Sequence, residues 1–235
     1  MTPSGSFTQL YSFPSHTFLN YFVVPLLQAS DGNLYGAIAS AGANGTGIIY
    51  KLTLGGQYTP LYTFPKDNNS GPTWLIEGSD GNLYGATYGN LTAGGHSELF
   101  RLTKSGQYTL LHTLTDAACQ CDLVQGSDGI IYGTAQGGGA TGAGEIFALN
   151  VGLSKPAPHA QYFYPQSGPV STQVRIWGSN LLSASVQFNG VPATTVSNSG
   201  SNYVWATVPV GATTGPITVT TPGGNITTHL SFTVE

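Results

Sequence analysis

Three near-copies of one pattern dominate the chain. The first element of the pattern is GSFTQLYSF (5–13), GQYTPLYTF (56–64) and GQYTLLHTL (106–114). The second is SDGNLYG (30–36), SDGNLYG (79–85) and SDGIIYG (127–133), and the third is GIIYKLT (47–53), SELFRLT (97–103) and GEIFALN (144–150). The period is about 50 residues, which falls among propeller-blade and array periods. A unit of that size cannot bury its apolar face alone, so its neighbours must cover it.

Within a unit the local signals are those of strands. Ile48, Ile49, Tyr50 and Leu52 make a short apolar run, while Phe7, Leu10 and Tyr11 sit among Ser and Thr. Asp31-Gly32, Asp80-Gly81 and Asp128-Gly129 carry the chemistry of tight hairpin turns that need a positive φ, so these six residues are read as turn formers. With 33 Gly and 14 Pro in 235 residues, few windows are long enough for a helix. The expectation is an all-β repeat domain over 1–151, in units near 5–55, 56–105 and 106–151, each of three or four antiparallel strands. Three units are too few for the four to eight blades of a closed propeller. They are read as propeller-blade-like repeats completed by another chain, the alternative being a threefold trefoil-like barrel. Open sheet edges with few charges favour self-association.

The repeats stop near Val151. Residues 152–158 read as a linker, and 159–235 hold about seven short strands with turn residues at Asn189-Gly190 and Pro222-Gly223-Gly224. That spacing predicts an immunoglobulin-like β-sandwich without a cysteine pair. Alternation puts Val174 and Ile176 on the inner face, with Arg175 and Trp177 outside. The same reading puts Val204 and Ala206 inside, with Tyr203 and Trp205 outside. Arg175, Trp177, Tyr203 and Trp205 are therefore the candidate contact surface, and covering the linker or the repeat domain is the competing use.

Charge narrows the function. Charged residues are 7% of the chain, and six Lys and Arg cannot neutralise a run of phosphates, so nucleic acid is not expected as a partner. No apolar stretch is long enough for a membrane helix. The Asp of each turn has no second carboxylate at calcium-ligand spacing. Glu98 and Glu145 share a repeat position, and two carboxylates on adjacent blades are what a glycosidase needs, but they read as solvated strand positions. The five His show no metal spacing, and Cys119 and Cys121 would stand about 7 Å apart on an extended strand, too far for an unstrained bridge, which leaves free thiols, a strained pair or links to another chain open. No nucleophile elbow or phosphate-binding Gly-Lys motif occurs. The expectation is no catalytic residue, no metal and no cofactor. No basic leader precedes the first Lys at position 51, and the Ser-, Thr-, Asn- and Gly-rich surface suggests an exported protein, extracellular or at the cell surface.

Two resemblances add to this reading. Ser-Asp-Gly-Asn-Leu-Tyr-Gly at 30–36 and 79–85, with Lys51-Leu52-Thr53 and Arg101-Leu102-Thr103, resembles the GloVer-type tandem repeats of bacterial exported proteins over about 5–152. Tyr164-Pro165, Gly178-Ser179-Asn180-Leu181, Phe188-Asn189-Gly190 and Thr221-Pro222-Gly223-Gly224 resemble the IPT/TIG immunoglobulin-like domains over about 157–235. The resemblances imply non-catalytic modules of exported proteins; with the low charge, the unclosed repeat count and the outward aromatics, the expectation is a structural or adhesive role, with self-association or a cell-surface component as partner. The alternative, read from the outward aromatics, is a carbohydrate-binding module that uses Trp177, Tyr203 and Trp205 as a stacking platform.

Overall fold

The computed structural model describes residues 5–13, 24–39, 45–66, 70–89, 96–115, 119, 121–198 and 200–235. All regular structure in it is strand. The chain divides into two compact units, residues 1–124 with 131–149, and residues 125–130 with 150–235.

The first unit is a run of antiparallel meanders. Strands β1 (Leu27–Gln28), β2 (Leu34–Ile38), β3 (Ile48–Leu52) and β4 (Tyr58–Thr63) form one four-stranded sheet in sequence order. Strands β5 (Ser70–Glu77), β6 (Leu83–Gly89), β7 (Ser97–Leu102) and β8 (Tyr108–Leu114) form the next in the same order. Among the described residues the third sheet has β9 (Leu123–Gln125), β10 (Ile131–Ala135) and β11 (Glu145–Leu149). These are separate, propeller-like blades.

The blades are cut differently from the units expected of the sequence. Each Gln-Tyr-Thr strand closes the sheet of the preceding unit, so β4 pairs with β3 and β8 with β7. The first copy of that motif, residues 5–13, is not a strand at all. The physical reason is a missing partner: among the described residues no strand pairs with it. It lies exposed instead, with Tyr11 stacked on Tyr58.

The turns are built from local hydrogen bonds. Gly32, Gly81 and Gly129 take φ of 79°, 78° and 92°, which only glycine adopts freely. Asp31 accepts from the Asn33 amide and side chain and from the Tyr35 hydroxyl at 2.8 Å. Asp80 does the same with Asn82 and Tyr84, and Asp128 accepts from the Ile130 amide. The following glycine of each Tyr-Gly pair makes room for an aromatic ring. A Cβ on Gly85 would run into Phe100, and one on Gly36 into Tyr50.

The first two blades share one apolar core, in which Tyr35, Ile49, Phe64, Leu75, Leu83, Phe100 and Leu102 are buried. A polar tie adds to it. Glu77 at the end of β5 accepts from the Ser30 amide and hydroxyl and from Lys104, whose Nζ lies 2.5 Å away.

Among its described residues the second unit has nine strands, namely β12 (His159–Tyr164), β13 (Ser167–Gly168), β14 (Gln173–Ser179), β15 (Ser185–Phe188), β16 (Val191–Pro192), β17 (Val196–Asn198), β18 (Tyr203–Thr207), β19 (Gly215–Thr221) and β20 (Gly224–Val234). One sheet has the order β12-β14-β18-β17 and the other β13-β20-β19-β15-β16, with β13 parallel to β20. Inward residues of both make a single core that includes Val174, Ile176, Val204, Phe188, Val219 and Phe232.

Candidate contact surface

Strands β14 and β18 are hydrogen-bonded neighbours, with Arg175 opposite Trp205 and Trp177 opposite Tyr203. Val174, Ile176, Val204 and Ala206 fill the core, which leaves the four alternate side chains on the outer face. There they converge. The Arg175 guanidinium lies 3.9 Å from the Tyr203 ring centroid, 4.6 Å from Trp177 and 5.5 Å from Trp205. Its Nε is buried and donates to no acceptor. The cation is therefore held by ring faces, an attraction of about 0.5–1 kcal/mol per ring at exposed sites.

Two further aromatics come from β12, which pairs with the other side of β14. Tyr162, opposite Trp177, stacks on it at 4.6 Å and 13°, and Tyr164 stands exposed opposite Arg175. Tyr162 and Tyr164 were missed in the sequence because the register shifts between Ala160 and Tyr162. Trp205 is the exposed ring of the original four, whereas Trp177, Tyr203 and Arg175 are half-buried by one another.

The two repeat-position carboxylates part company, which corrects the solvated reading of Glu98. Glu98 is buried and accepts from the Tyr108 hydroxyl at 2.6 Å, because β8 folds Tyr108 back over it. Burial first, then that bond, pushes the Tyr108 hydroxyl pKa well above its ordinary value. Glu145 is half-buried and lines a recess of about 170 Å³ with His112 and Gly138.

For the cysteines the structure selects one of the readings left open. Cys119 and Cys121 are joined as a disulfide with their Cα atoms 4.7 Å apart. Both lie outside any strand, so the extended spacing that argued against a bridge does not apply. Among the described residues no group of three or more His, Cys, Asp and Glu is placed to hold a metal ion. No helix among them is long and apolar enough to cross a membrane.

An all-β chain built of repeated, propeller-like meanders is the class that these observations define. Residues 1–207 match the Gloeobacter/Verrucomicrobia repeat, and the chain belongs to that family. No curated protein matches it. Among solved structures it is similar to a fungal alcohol oxidase of the AA5 family, at 14% identity over 91% of this chain and 54% of the other, with a TM-score of 0.39. It is similar to virginiamycin B lyase from Staphylococcus aureus at 15% identity over 89% of this chain and 65% of the other, with a TM-score of 0.36. The extracellular domain of a Bacteroides thetaiotaomicron protein matches at 14% identity over 90% of this chain and 27% of the other, with a TM-score of 0.36. The chain thus spans less than two thirds of each of these proteins.

Proposed function

We propose that this is a non-catalytic exported protein, extracellular or at the cell surface, with a structural or adhesive role and self-association as its mode of action. In this reading the second unit is an immunoglobulin-like sandwich of the IPT/TIG type that presents its outer face to a protein partner.

One observation carries the proposal: Arg175 set among Trp177, Tyr203 and Trp205, with Tyr162 and Tyr164 beside them. Arg, Trp and Tyr are the residue types that anchor protein interfaces. A sugar platform would need free ring faces. Here Tyr162 covers one face of Trp177, and Arg175 lies over Tyr203, which favours a protein contact over the carbohydrate-binding alternative. Against an enzyme stands Glu98, closed off beneath Tyr108 and not open to a substrate.

The experiment is the molar mass of the full chain by light scattering over a range of concentrations, with Trp177→Thr/Trp205→Thr for comparison. The mass should rise with concentration, and the variant should associate about thirtyfold more weakly, equivalent to about 2 kcal/mol. A variant that assembles normally but loses binding to polysaccharide would support the carbohydrate reading instead. A wild-type chain that stays monomeric and binds neither would overturn the proposal.

A further inference from the structure

Equivalent apolar residues at the blade-to-blade contact are buried wherever two blades meet and bare at the two outer faces. The third motif of each unit places Ile49, Leu99 and Ile146 at the same position, and their exposures are 0%, 2% and 82%. Four residues ahead of each Ser-Asp-Gly stand Leu26, Leu75 and Leu123, at 54%, 5% and 6%. Ile49 of the first blade and Leu75 of the second lie in one buried cluster, so this pair is part of the contact between successive blades. Ile146 is the first half of such a contact without its second, and Leu26 is the second half without its first.

The backbone is unmatched in the same two places. Strand β11 pairs with β10 on one side, and among the described residues no strand pairs its other side, where β3 has β4 and β7 has β8. Residues 5–13 carry the sequence of that missing fourth strand. They already lie on the first blade as β4 lies on the second. Tyr11 stacks on Tyr58 at 4.6 Å and 11°, and Tyr62 on Tyr108 at 4.5 Å and 10°. The chain passes equally close to the next hairpin in both, since a Cβ on Gly56 would meet the Leu10 oxygen at 2.5 Å and one on Gly106 the Leu61 oxygen at 2.6 Å. What residues 5–13 lack is a strand on their other side, and β11 lacks its complement.

We infer that copies of this chain join head to tail. Ile146 of one copy seats against Leu26 of the next, whose residues 5–13 add to β11 as the fourth strand of the third blade. The inference rests on the self-association proposed above and names its surface. Covering Ile146 and Leu26 removes two large apolar side chains from water, and strand addition satisfies an open edge in the same step. The contact is heterologous, so it closes into a ring or grows as a filament. Two copies would supply six sheets, within the range in which propellers close.

The test uses the full chain carrying Trp177→Thr/Trp205→Thr, which takes the sandwich face out of play. This chain should still associate by light scattering. Adding Ile146→Asp or Leu26→Asp should each abolish association at every concentration where the parent assembles, with melting temperatures within a few degrees of the parent because both sites are exposed. Mixed one to one, the two variants retain one intact junction and should give a mass of two chains and no more. If the Trp variant is monomeric while wild type associates, the sandwich face stands and the head-to-tail junction is wrong. If association ignores Ile146→Asp and Leu26→Asp, the junction is also wrong. A monomeric wild type overturns both readings.

Discussion

Tyr62 of β4 stacks on Tyr108 of β8 with ring centroids 4.5 Å apart and planes 10° from parallel. The contact joins the last strands of successive blades. Phe64, two residues on, meets both Phe100 and Tyr108 edge-on at 5.8 and 5.9 Å. The same arrangement recurs one period earlier, where Phe13 meets Tyr50 and Tyr58. Only the later copy is sealed, since Phe64 is fully buried and Phe13 is exposed.

That difference sets the first prediction. Phe64→Ala should destabilise the chain by about 3–5 kcal/mol, the usual cost of emptying a packed aromatic site. Phe13→Ala removes three edge-on contacts, with Tyr11, Tyr50 and Tyr58, from an exposed ring and should cost less, about 1–2 kcal/mol. Urea unfolding of dilute protein reads both. Equal losses would mean that residues 5–13 are packed as tightly as β4.

The second prediction concerns pH. Burial would raise the Asp80 carboxyl, but hydrogen bonds from the Asn82 side chain and amide and from Tyr84 outweigh it and hold the pKa below its ordinary value. Asp31 is lowered in the same way by Asn33, Tyr35 and Lys104. A carboxyl depressed in the folded state stabilises above its unfolded pKa, about 4, and this is lost as pH falls through the folded value. On the alkaline side burial, then Asp80, pushes Tyr84 up to about 12. Its contribution is complete below about pH 10, where a free tyrosine ionises, and is lost as pH rises through 12. The melting temperature should therefore fall on both sides of a plateau between about pH 5 and 9. Asp31→Asn/Asp80→Asn should flatten the acid limb, and an unchanged acid limb would show that other groups control it.

The third prediction concerns Glu98. Glu98→Ala leaves the half-buried Tyr108 hydroxyl without this acceptor and should cost about 1–3 kcal/mol. Glu98→Gln keeps an acceptor oxygen and should cost less than about 1 kcal/mol. No polysaccharide cleavage should be measurable in wild type or in Glu98→Gln/Glu145→Gln. Hydrolysis present in the first and lost in the second would return the pair to catalysis.

Features set by local chemistry were readable in the chain itself. Asp-Gly positions its own turn through the carboxylate, and strict alternation sorts Val174 and Ile176 from Arg175 and Trp177. What depends on a distant neighbour was not. Ile48, Glu98 and Glu145 occupy one repeat position, yet Ile48 and Glu98 are buried and Glu145 is only half-buried, because among the described residues no further strand of its sheet covers it. The offset between repeat and blade was hidden for a similar reason. A repeat looks the same wherever its start is drawn, and only pairing shows that the Gln-Tyr-Thr strand ends a sheet. Whether Cys119 and Cys121 are bridged stayed open in the sequence, because the answer depends on whether the two lie on an extended strand.

The last prediction tests Arg175 as the organiser of the outer face. Two effects oppose each other in Arg175→Ala. Removing a buried Nε that donates to nothing relieves a desolvation cost of about 1–3 kcal/mol. Against that, three ring contacts of about 0.5–1 kcal/mol each are lost, together with the packing of the aliphatic stem between rings. Arg175 is only half-buried, so the relief is taken at the low end of its range. The ring contacts should win, with a net loss of about 1 kcal/mol on unfolding. Arg175→Lys keeps the charge but not the plane that lies over Tyr203, so it should restore only part of the loss. Tryptophan emission gives a second readout that a purely structural change elsewhere would not move. It should shift to the red in Arg175→Ala as Trp177 and Trp205 gain water, and less so in Arg175→Lys. If Arg175→Ala is as stable as wild type with unchanged emission, the rings are held by Tyr162 and the sheet alone, and the cation does not organise the surface.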